Sequence, residues 1–363
     1  MKPITRREWM QGAGLAAIGA SCSGGRPASP QLARVRVSSE RVIRTTVGLR
    51  PFRPGGFRVE AETFGDKTVV HNYGHGGGGM SLSWGSSWLA VEEVLRTGAE
   101  RVAVLGAGVM GLSTGRLLQK HAKQVTIYTK ALPPETTSNM SAAWWSPGST
   151  VDPSERTDAY DEQFVKAARF ANRYYQSYVG MEYGVQWRPR YSVSRHPPEG
   201  QTRSLIADLF PEGKDLAESE HPFPWPYVRR SWTMVIEPPT YMRALLRDFR
   251  SASGRLVLHE LTDLEDVRAL EETTIVNCTG LGARELFGDE TLTPIKGQLT
   301  VLLPQPEIDY LMVGDGLYMI PRRDGIALGS THERGDWSLT PSASEMHRVM
   351  EGHGEFWAQT AGA

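Results

Sequence analysis

The chain has 363 residues, long enough for two domains with sizeable cores. Its 40 Lys and Arg balance 41 Asp and Glu, which gives no support for a nucleic-acid partner or an anionic membrane surface. The two cysteines, Cys22 and Cys278, exclude a disulfide framework and a cysteine-rich metal site, and no apolar run reaches the ~18 residues of a membrane span.

Residues 1–34 read as a leader and tether. Thr5-Arg-Arg-Glu-Trp-Met10 carries paired arginines ahead of a mildly apolar stretch at 12–20, and this resembles a twin-arginine export signal. Such signals carry already folded proteins, and they imply a periplasmic location. Ala20-Ser-Cys22 resembles the end of a lipoprotein cleavage site, but Gly19 stands where leucine is usual. A lipid on Cys22, and membrane attachment through it, stays open at this point.

Residues 35–59 read as strand with a break. Arg50 lies between Gly48 and Pro51, in a segment too punctuated to be regular. Five of the six residues 74–79 are glycine, preceded by apolar strand residues and followed by an amphipathic helix over 88–95. The physical reading is backbone brought close to a flat or anionic ligand at a helix N-terminus. His71 and His75 are four apart, but they are not on a helix and no carboxylate cluster joins them, so no metal is expected.

Val102 to Leu105 is a short apolar run, as expected of a strand buried on both faces. Gly106, Gly108 and Gly111 follow as G-x-G-x-x-G, and Leu112, Leu117 and Leu118 continue at helical spacing. Strand, glycine turn and helix together point to a dinucleotide held at a helix N-terminus. A second strand, 124–128, follows at βαβ spacing. The acidic residue that should end it and hold a ribose is absent, since the chain reads Tyr128-Thr-Lys-Ala131. Further elements are a long helix opening at 153–160 and strands at 187–193 and 232–236. A helix follows over 238–249, then strands at 255–261 and 273–277. Short strands near 299–302, 317–320 and 326–328 precede a terminal helix at 346–357. Cys278 reads as a small buried apolar residue and not as a nucleophile.

Several segments resemble the D-amino-acid oxidases. Val69-Val-His-Asn-Tyr-Gly-His-Gly-Gly-Gly-Gly79 with Trp84-Gly85 is similar to the C-terminal signature of that family, and Gly48-Leu-Arg-Pro51 to the arginine segment before it. Thr136-Thr-Ser-Asn-Met-Ser-Ala-Ala-Trp-Trp145 resembles its flavin-contacting loop, and Ile275-Val-Asn-Cys-Thr-Gly280 its second signature strand. Gly297-Gln298, 317–321, Leu328-Gly329 and 335–337 match as well. The order differs. The family opens on the fingerprint and closes on the G-x-R-P and glycine segments, whereas here those closing segments come first. The chain therefore resembles a circular permutant, with the old ends joined at 96–100 and the new ends between 355–358 and Val35.

The resemblance implies an α/β fold. An FAD-binding Rossmann-like domain with a parallel sheet (49–148 with 254–296) is joined to a smaller, mostly antiparallel α+β substrate domain (149–253 with 297–363 and 35–48). It implies hydride transfer from the α-carbon of a D-amino acid to FAD, with O2 as acceptor giving an oxo acid, ammonia and H2O2. A quinone as acceptor, a D-aspartate-type substrate and a flavin-binding protein without turnover remain alternatives. By the motif match, Arg50 clamps the substrate carboxylate and Tyr318 adds a hydrogen bond. The flavin residues are Gly76, Gly79, Met80, Ser81, Gly106, Gly108, Val109, Met110, Gly111, Lys130, Thr136, Thr137, Ala142, Ala143, Trp144, Leu261, Cys278, Thr279 and Gly280. A second pocket tyrosine of the family has no match in the short loop 312–316. Arg322 and Arg323 stand near the pocket in sequence, with nothing to place them inside it.

Overall fold

The computed structural model describes residues 32–197 and 204–360; the paired arginines and Cys22 lie outside the described residues. The chain enters with β1 (Val42–Phe52), β2 (Arg58–Phe64), β3 (Lys67–Tyr73) and α1 (Gly79–Arg96). β4 (Arg101–Leu105), α2 (Val109–Lys120), β5 (Gln124–Thr129) and α3 (Asp158–Gln176) follow. Next come β6 (Val185–Ser194), β7 (Lys214–Leu216), β8 (Tyr227–Ile236), α4 (Pro238–Ser251) and β9 (Arg255–Leu258). After α5 (Leu264–Arg268), β10 (Thr274–Asn277) and α6 (Ala283–Phe287) come β11 (Thr293–Leu302), β12 (Leu311–Gly314), β13 (Leu317–Arg322) and β14 (Gly325–Gly329). The short β15 (Glu333–Arg334) and α7 (Ala343–Gln359) complete the described chain.

These strands form two sheets. The first has the order β2-β3-β10-β4-β5-β9 and is parallel except for the β2–β3 hairpin. Its central strands are apolar on both faces, because α1, α2 and α4 cover one side and a cluster with Val267 and Leu286 fills the other. The second sheet has the order β1-β11-β14-β13-β12-β6-β8-β7, with β15 on β11. It is antiparallel apart from the β12–β6 pair. This sheet, expected to be the smaller partner, has nine strands against six.

The expected break near Arg50 is absent. β1 runs unbroken through Gly48 and Pro51 and pairs with β11 from Val42↔Leu302 to Phe52↔Thr293. It tolerates Pro51 because it is an edge strand, where a missing N–H costs no ladder bond on the open side. The expected domain divisions at 48/49 and 296/297 therefore fall inside two strands of one ribbon. α1 likewise starts at Gly79, nine residues before its apolar pattern becomes regular. Its Gly85 meets α3 so closely that a Cβ would stand 1.8 Å from the Ala167 carbonyl oxygen. The chain's first described segment closes on its last: Val35 shares a cluster with Phe356 and Trp357, and the Tyr310 hydroxyl donates to the Ala33 carbonyl at 2.6 Å.

Candidate active site

The glycine fingerprint stands at the C-terminal end of β4, where α2 begins at Val109. Gly106 has φ +97, and a Cβ on it would meet the Cys278 carbonyl oxygen at 2.8 Å. A Cβ on Gly111 would stand 1.8 Å from the Gly106 oxygen, so only glycine lets the helix pack on the strand here. The Ala107 N–H donates to Thr129 Oγ1 at 3.1 Å and the Val109 N–H to Ser138 Oγ at 2.9 Å, which ties the turn to β5 and to the 136–140 segment. Lys130 points outward to Glu260 at 3.2 Å. Leu261 lies beyond the end of β9 and packs against the cluster that holds Leu105, Val267 and Ile275.

Cys278 is buried under Thr114, 3.7 Å from its hydroxyl, and burial pushes the thiol up to about 12. It packs as a small apolar residue. Thr279 donates from both its N–H and its hydroxyl to Asn277 Oδ1, and Gly280, at φ +61, lies 3.6 Å from Pro51 where a Cβ would be. The second βα turn of the sheet thus touches the residue beside Arg50.

The glycine run 74–79 has a different cause from the one expected. A Cβ on Gly76 would meet the Ser149 carbonyl oxygen at 2.6 Å, and one on Gly78 would meet Thr150 Cγ2 at 2.3 Å. At these two positions the close approach is to the chain's own 148–150 segment. Gly79 and Met80 open α1 beside Met110, since a Cβ on Gly79 would stand 3.5 Å from Met110 Cε. Ser81 is buried with its hydroxyl spent on the loop: it donates to the Trp144 carbonyl at 3.3 Å and accepts from the Ser146 N–H at 2.9 Å. Ser81 therefore fixes the segment carrying Ala142, Ala143 and Trp144. Thr136 is buried and donates to Asn139 Oδ1, while Thr137 is exposed.

His71 and His75, weighed as metal ligands, part company. His71 contacts Glu62 at 3.1 Å and Asn277 at 3.1 Å, whereas His75 stacks on Phe57 with ring centroids 4.8 Å apart. Among the described residues no cluster of three His, Cys, Asp or Glu is placed to hold a metal.

On the other sheet, Arg50 and Tyr318 share one face. The Arg50 guanidinium crosses β11 over Gly297, where a Cβ would stand 2.4 Å from Nη2, and Nη1 donates to the Thr331 carbonyl at 3.3 Å. The Tyr318 ring crosses β14 over Gly329, where a Cβ would stand 2.5 Å from the hydroxyl. Burial raises the Tyr318 phenol above its ordinary range, and the neighbouring Arg50 charge partly offsets this. Trp144 closes the side of the site, its ring centroid 5.4 Å from that of Tyr318. β12 and β13 meet in a tight turn at Asp315 and Gly316, both at positive φ, and none of the residues 312–316 is a tyrosine.

Sequence reasoning missed His332, an exposed imidazole beside this clamp. Burial lowers its pKa first, and the Arg50 and Arg334 charges lower it further. It follows Thr331, whose carbonyl holds Arg50, a contact between residues far apart in the chain that carries no signal in the sequence. Arg322 and Arg323 are both committed. Arg322 pairs with Asp324 at 2.8 Å and donates to the Ser141 and Ala142 carbonyls at 3.1 Å, and Arg323 pairs with Glu237 at 2.7 Å.

A parallel sheet with a dinucleotide cradle, set against a second sheet bearing an arginine–tyrosine clamp, defines an oxidoreductase that uses a bound dinucleotide. The chain belongs to the FAD dependent oxidoreductase (DAO) family, whose model matches residues 101–360. It is 30% identical to the D-aspartate oxidase of Homo sapiens over 258 residues, covering 69% of this chain and 74% of that one. It is 28% identical to the D-amino-acid oxidase of Dictyostelium discoideum, covering 68% of this chain and 70% of that one. Among solved structures, glycine oxidase from Geobacillus kaustophilus shares the fold with a TM-score of 0.52 at 17% identity, over 73% of this chain and 81% of that one.

The cofactor is FAD, and the residues present suit it. The cradle leaves no space for a Cβ at Gly106 or Gly111. Asn139 Nδ2, Trp144 Nε1 and His75 Nε2 are buried without partners on the segments flanking it. Buried nitrogens of this kind need partners, and a ligand rich in oxygen acceptors supplies them.

Proposed function

We propose that this flavoenzyme oxidises a D-amino acid, with O2 as acceptor, to an oxo acid, ammonia and H2O2. One observation carries the reading: Arg50 and Tyr318 reach over glycines from β1 and β13 to the same face of the sheet. A guanidinium fork suits a carboxylate because two parallel N–H bonds meet two oxygens. The Tyr318 hydroxyl, kept protonated by burial, donates to the same group. Bound FAD supplies the acceptor for the hydride that leaves the α-carbon. Arg50, Tyr318 and Trp144 hold that carbon still, which removes most of the entropic cost of the encounter. The two relatives named above support the D configuration by what their names say they act on.

The test is kinetic. Arg50→Ala lowers kcat/KM about 30- to 1000-fold, the cost of leaving one charge of a buried pair unmet, with the flavin spectrum unchanged. Arg50→Lys recovers little, because the fork is gone. Tyr318→Phe costs only ~1 kcal/mol. Near-normal kcat/KM in Arg50→Ala would sink the reading, and a peroxide yield far below one per turnover would move the acceptor from O2 to a quinone.

The order of elements supports a circular permutation of the family's chain. The family model begins at 101, and β1 and β3, which precede it, pair with β11 and β10. Only residues 97–100 join α1 to β4. The paired arginines Arg6 and Arg7 support export by the twin-arginine route. Their double replacement by lysine keeps the enzyme in the cytoplasm on this reading, and fractionation of expressing cells measures it.

A further inference from the structure

Away from the cradle and the clamp, α1 and α3 enclose a groove of about 490 Å³. Its floor is aromatic. Trp88 of α1 stacks on Phe170 of α3 with ring centroids 4.8 Å apart and an interplanar angle of 2°. Tyr174, one turn further along α3, continues the stack at 5.4 Å. These three rings line the groove, and all of them stay partly exposed. Trp88 lies ~13 Å along α1 from Gly79, so the groove stands clear of the end of α1 that lies beside Met110 and the cradle.

The rim is cationic. Lys166, Arg169 and Arg173 recur at helical spacing on α3, so they share the face that carries Phe170 and Tyr174. Lys120, the last residue of α2, stands 4.7 Å over the Tyr174 ring. Arg169 is paired with Asp208 at 2.6 Å, whereas Lys120, Lys166 and Arg173 have no carboxylate partner among the described residues. A cation in water needs no partner, and a basic helix face is ordinarily just solvated. The hollow sets this face apart. Four cations against one acid ring an apolar floor, in a chain whose charges balance overall at 40 to 41. Ligand pockets have this make-up, roughly 300–1,000 Å³ lined by aromatic side chains with a few charged groups at the edge.

We infer that this groove is a second binding site, for a flat aromatic ring that carries a carboxylate or a phosphate. The ring lies against the Trp88–Phe170–Tyr174 stack, where it gains both burial and offset stacking. Its negative group meets Lys166 and Arg173, which are free to turn toward it because no carboxylate holds them. A purely apolar guest leaves the cations idle, and a small inorganic anion leaves the rings uncovered. An aromatic anion uses both, and that difference sets the preference. The site does not depend on the oxidase reading, because it shares no residue with the cradle or the clamp.

The test is calorimetric titration with 1-naphthoate and with AMP. It uses the FAD-loaded wild type and the FAD-loaded Arg50→Ala protein, in which the cradle is filled and the clamp takes no carboxylate. 1-Naphthol and adenosine supply the ring without the charge; acetate and inorganic phosphate supply the charge without the ring. In Arg50→Ala at least one of the two aromatic anions binds at one site per chain, more tightly than its uncharged and ringless counterparts, and more weakly as salt is raised. Binding of AMP alone assigns a nucleotide-like phosphate, and binding of 1-naphthoate alone an aryl carboxylate. Adding Lys166→Gln with Arg173→Gln weakens binding about 3- to 30-fold. Adding Trp88→Ala weakens it about 5- to 100-fold. Lys166 and Arg173 are exposed, so their replacement keeps the fold, and an unchanged dissociation constant there overturns the inference. Equal binding of acetate or phosphate means an adventitious ion only, and equal binding of 1-naphthol or adenosine a plain apolar surface; either overturns it. Binding confined to the wild type belongs to the clamp and overturns it, as does no binding of either anion.

Discussion

The Arg50 guanidinium rests on Gly297: a Cβ at that glycine would stand 2.4 Å from Nη2 and 2.6 Å from Cζ. Gly297 faces Gly48 across the β1–β11 ribbon, so the arginine crosses a strip of sheet that has no side chains. The same device recurs at Gly329 beneath Tyr318. The clamp is therefore set by what is missing from β11 and β14 as much as by its own two residues.

Gly297→Ala follows directly. The atoms in the way are the far end of a flexible side chain, so the arginine swings aside and the fold survives. The variant keeps its FAD and its melting temperature, while kcat/KM falls about 10- to 100-fold, the worth of a displaced charged hydrogen bond. Steady-state kinetics beside a flavin spectrum measures both halves; an unfolded or flavin-free variant would contradict it.

Two other glycines separate cofactor binding from folding. At Gly111 a Cβ would meet the Gly106 oxygen, and at Gly85 the Ala167 oxygen, each at 1.8 Å. In both cases the obstacle is backbone and cannot step aside. Gly111→Ala forces the fingerprint helix off its strand, and FAD affinity falls with stability. Gly85→Ala parts α1 from α3 and costs about 1–3 kcal/mol as overpacking does. Urea midpoints of the apo forms, set beside FAD dissociation constants, separate the two. A Gly85→Ala loss of FAD larger than its loss of stability would contradict this assignment.

Acid should unfold the protein through buried neutral histidines. Burial lowers His71 to about 4, His75 to about 3 and His353 to about 4. Each takes a proton more readily when unfolded, near pH 6.5, than when folded. The unfolded state thus binds more protons below pH 6.5, and stability falls as pH drops from 6.5 toward 4, by up to ~1.4 kcal/mol per unit per histidine. Urea midpoints between pH 7.5 and 4.5 measure the slope. His353→Phe, in the helix behind Tyr318, makes it shallower; an unchanged slope would mean that His353 is not held neutral.

Chain order is testable by moving the cut. A chain that begins at Arg101, runs to the end of α7 and continues into residues 32–96 keeps every strand pair, because Val35 already packs on Phe356 and Trp357. It folds and binds FAD with the wild-type spectrum. Deleting residues 32–96 removes β1 and β3 from both sheets and abolishes FAD binding. An FAD-binding deletion variant would refute the permuted reading.

Local chemistry was enough to read part of this protein from its sequence. The strand–glycine–helix at 102–118 depends on neighbours within a few residues, so its pattern is complete in the chain itself. The strands at 124–128 and 273–277 and the helices at 238–249 and 346–357 were legible for the same reason. Arg50 and Tyr318 were named by their motifs, yet they lie far apart in sequence, and only sheet pairing brings them to one face. That pairing also overrode local signals: the edge position of β1 tolerates Pro51, and contact with the 148–150 segment, more than a ligand, explains Gly76 and Gly78. Arg323 shows the limit most clearly. Its neighbour along the chain is Asp324, yet the folded protein pairs it with Glu237, 86 residues away, because charge pairing depends on distance in space, which only the folded chain sets.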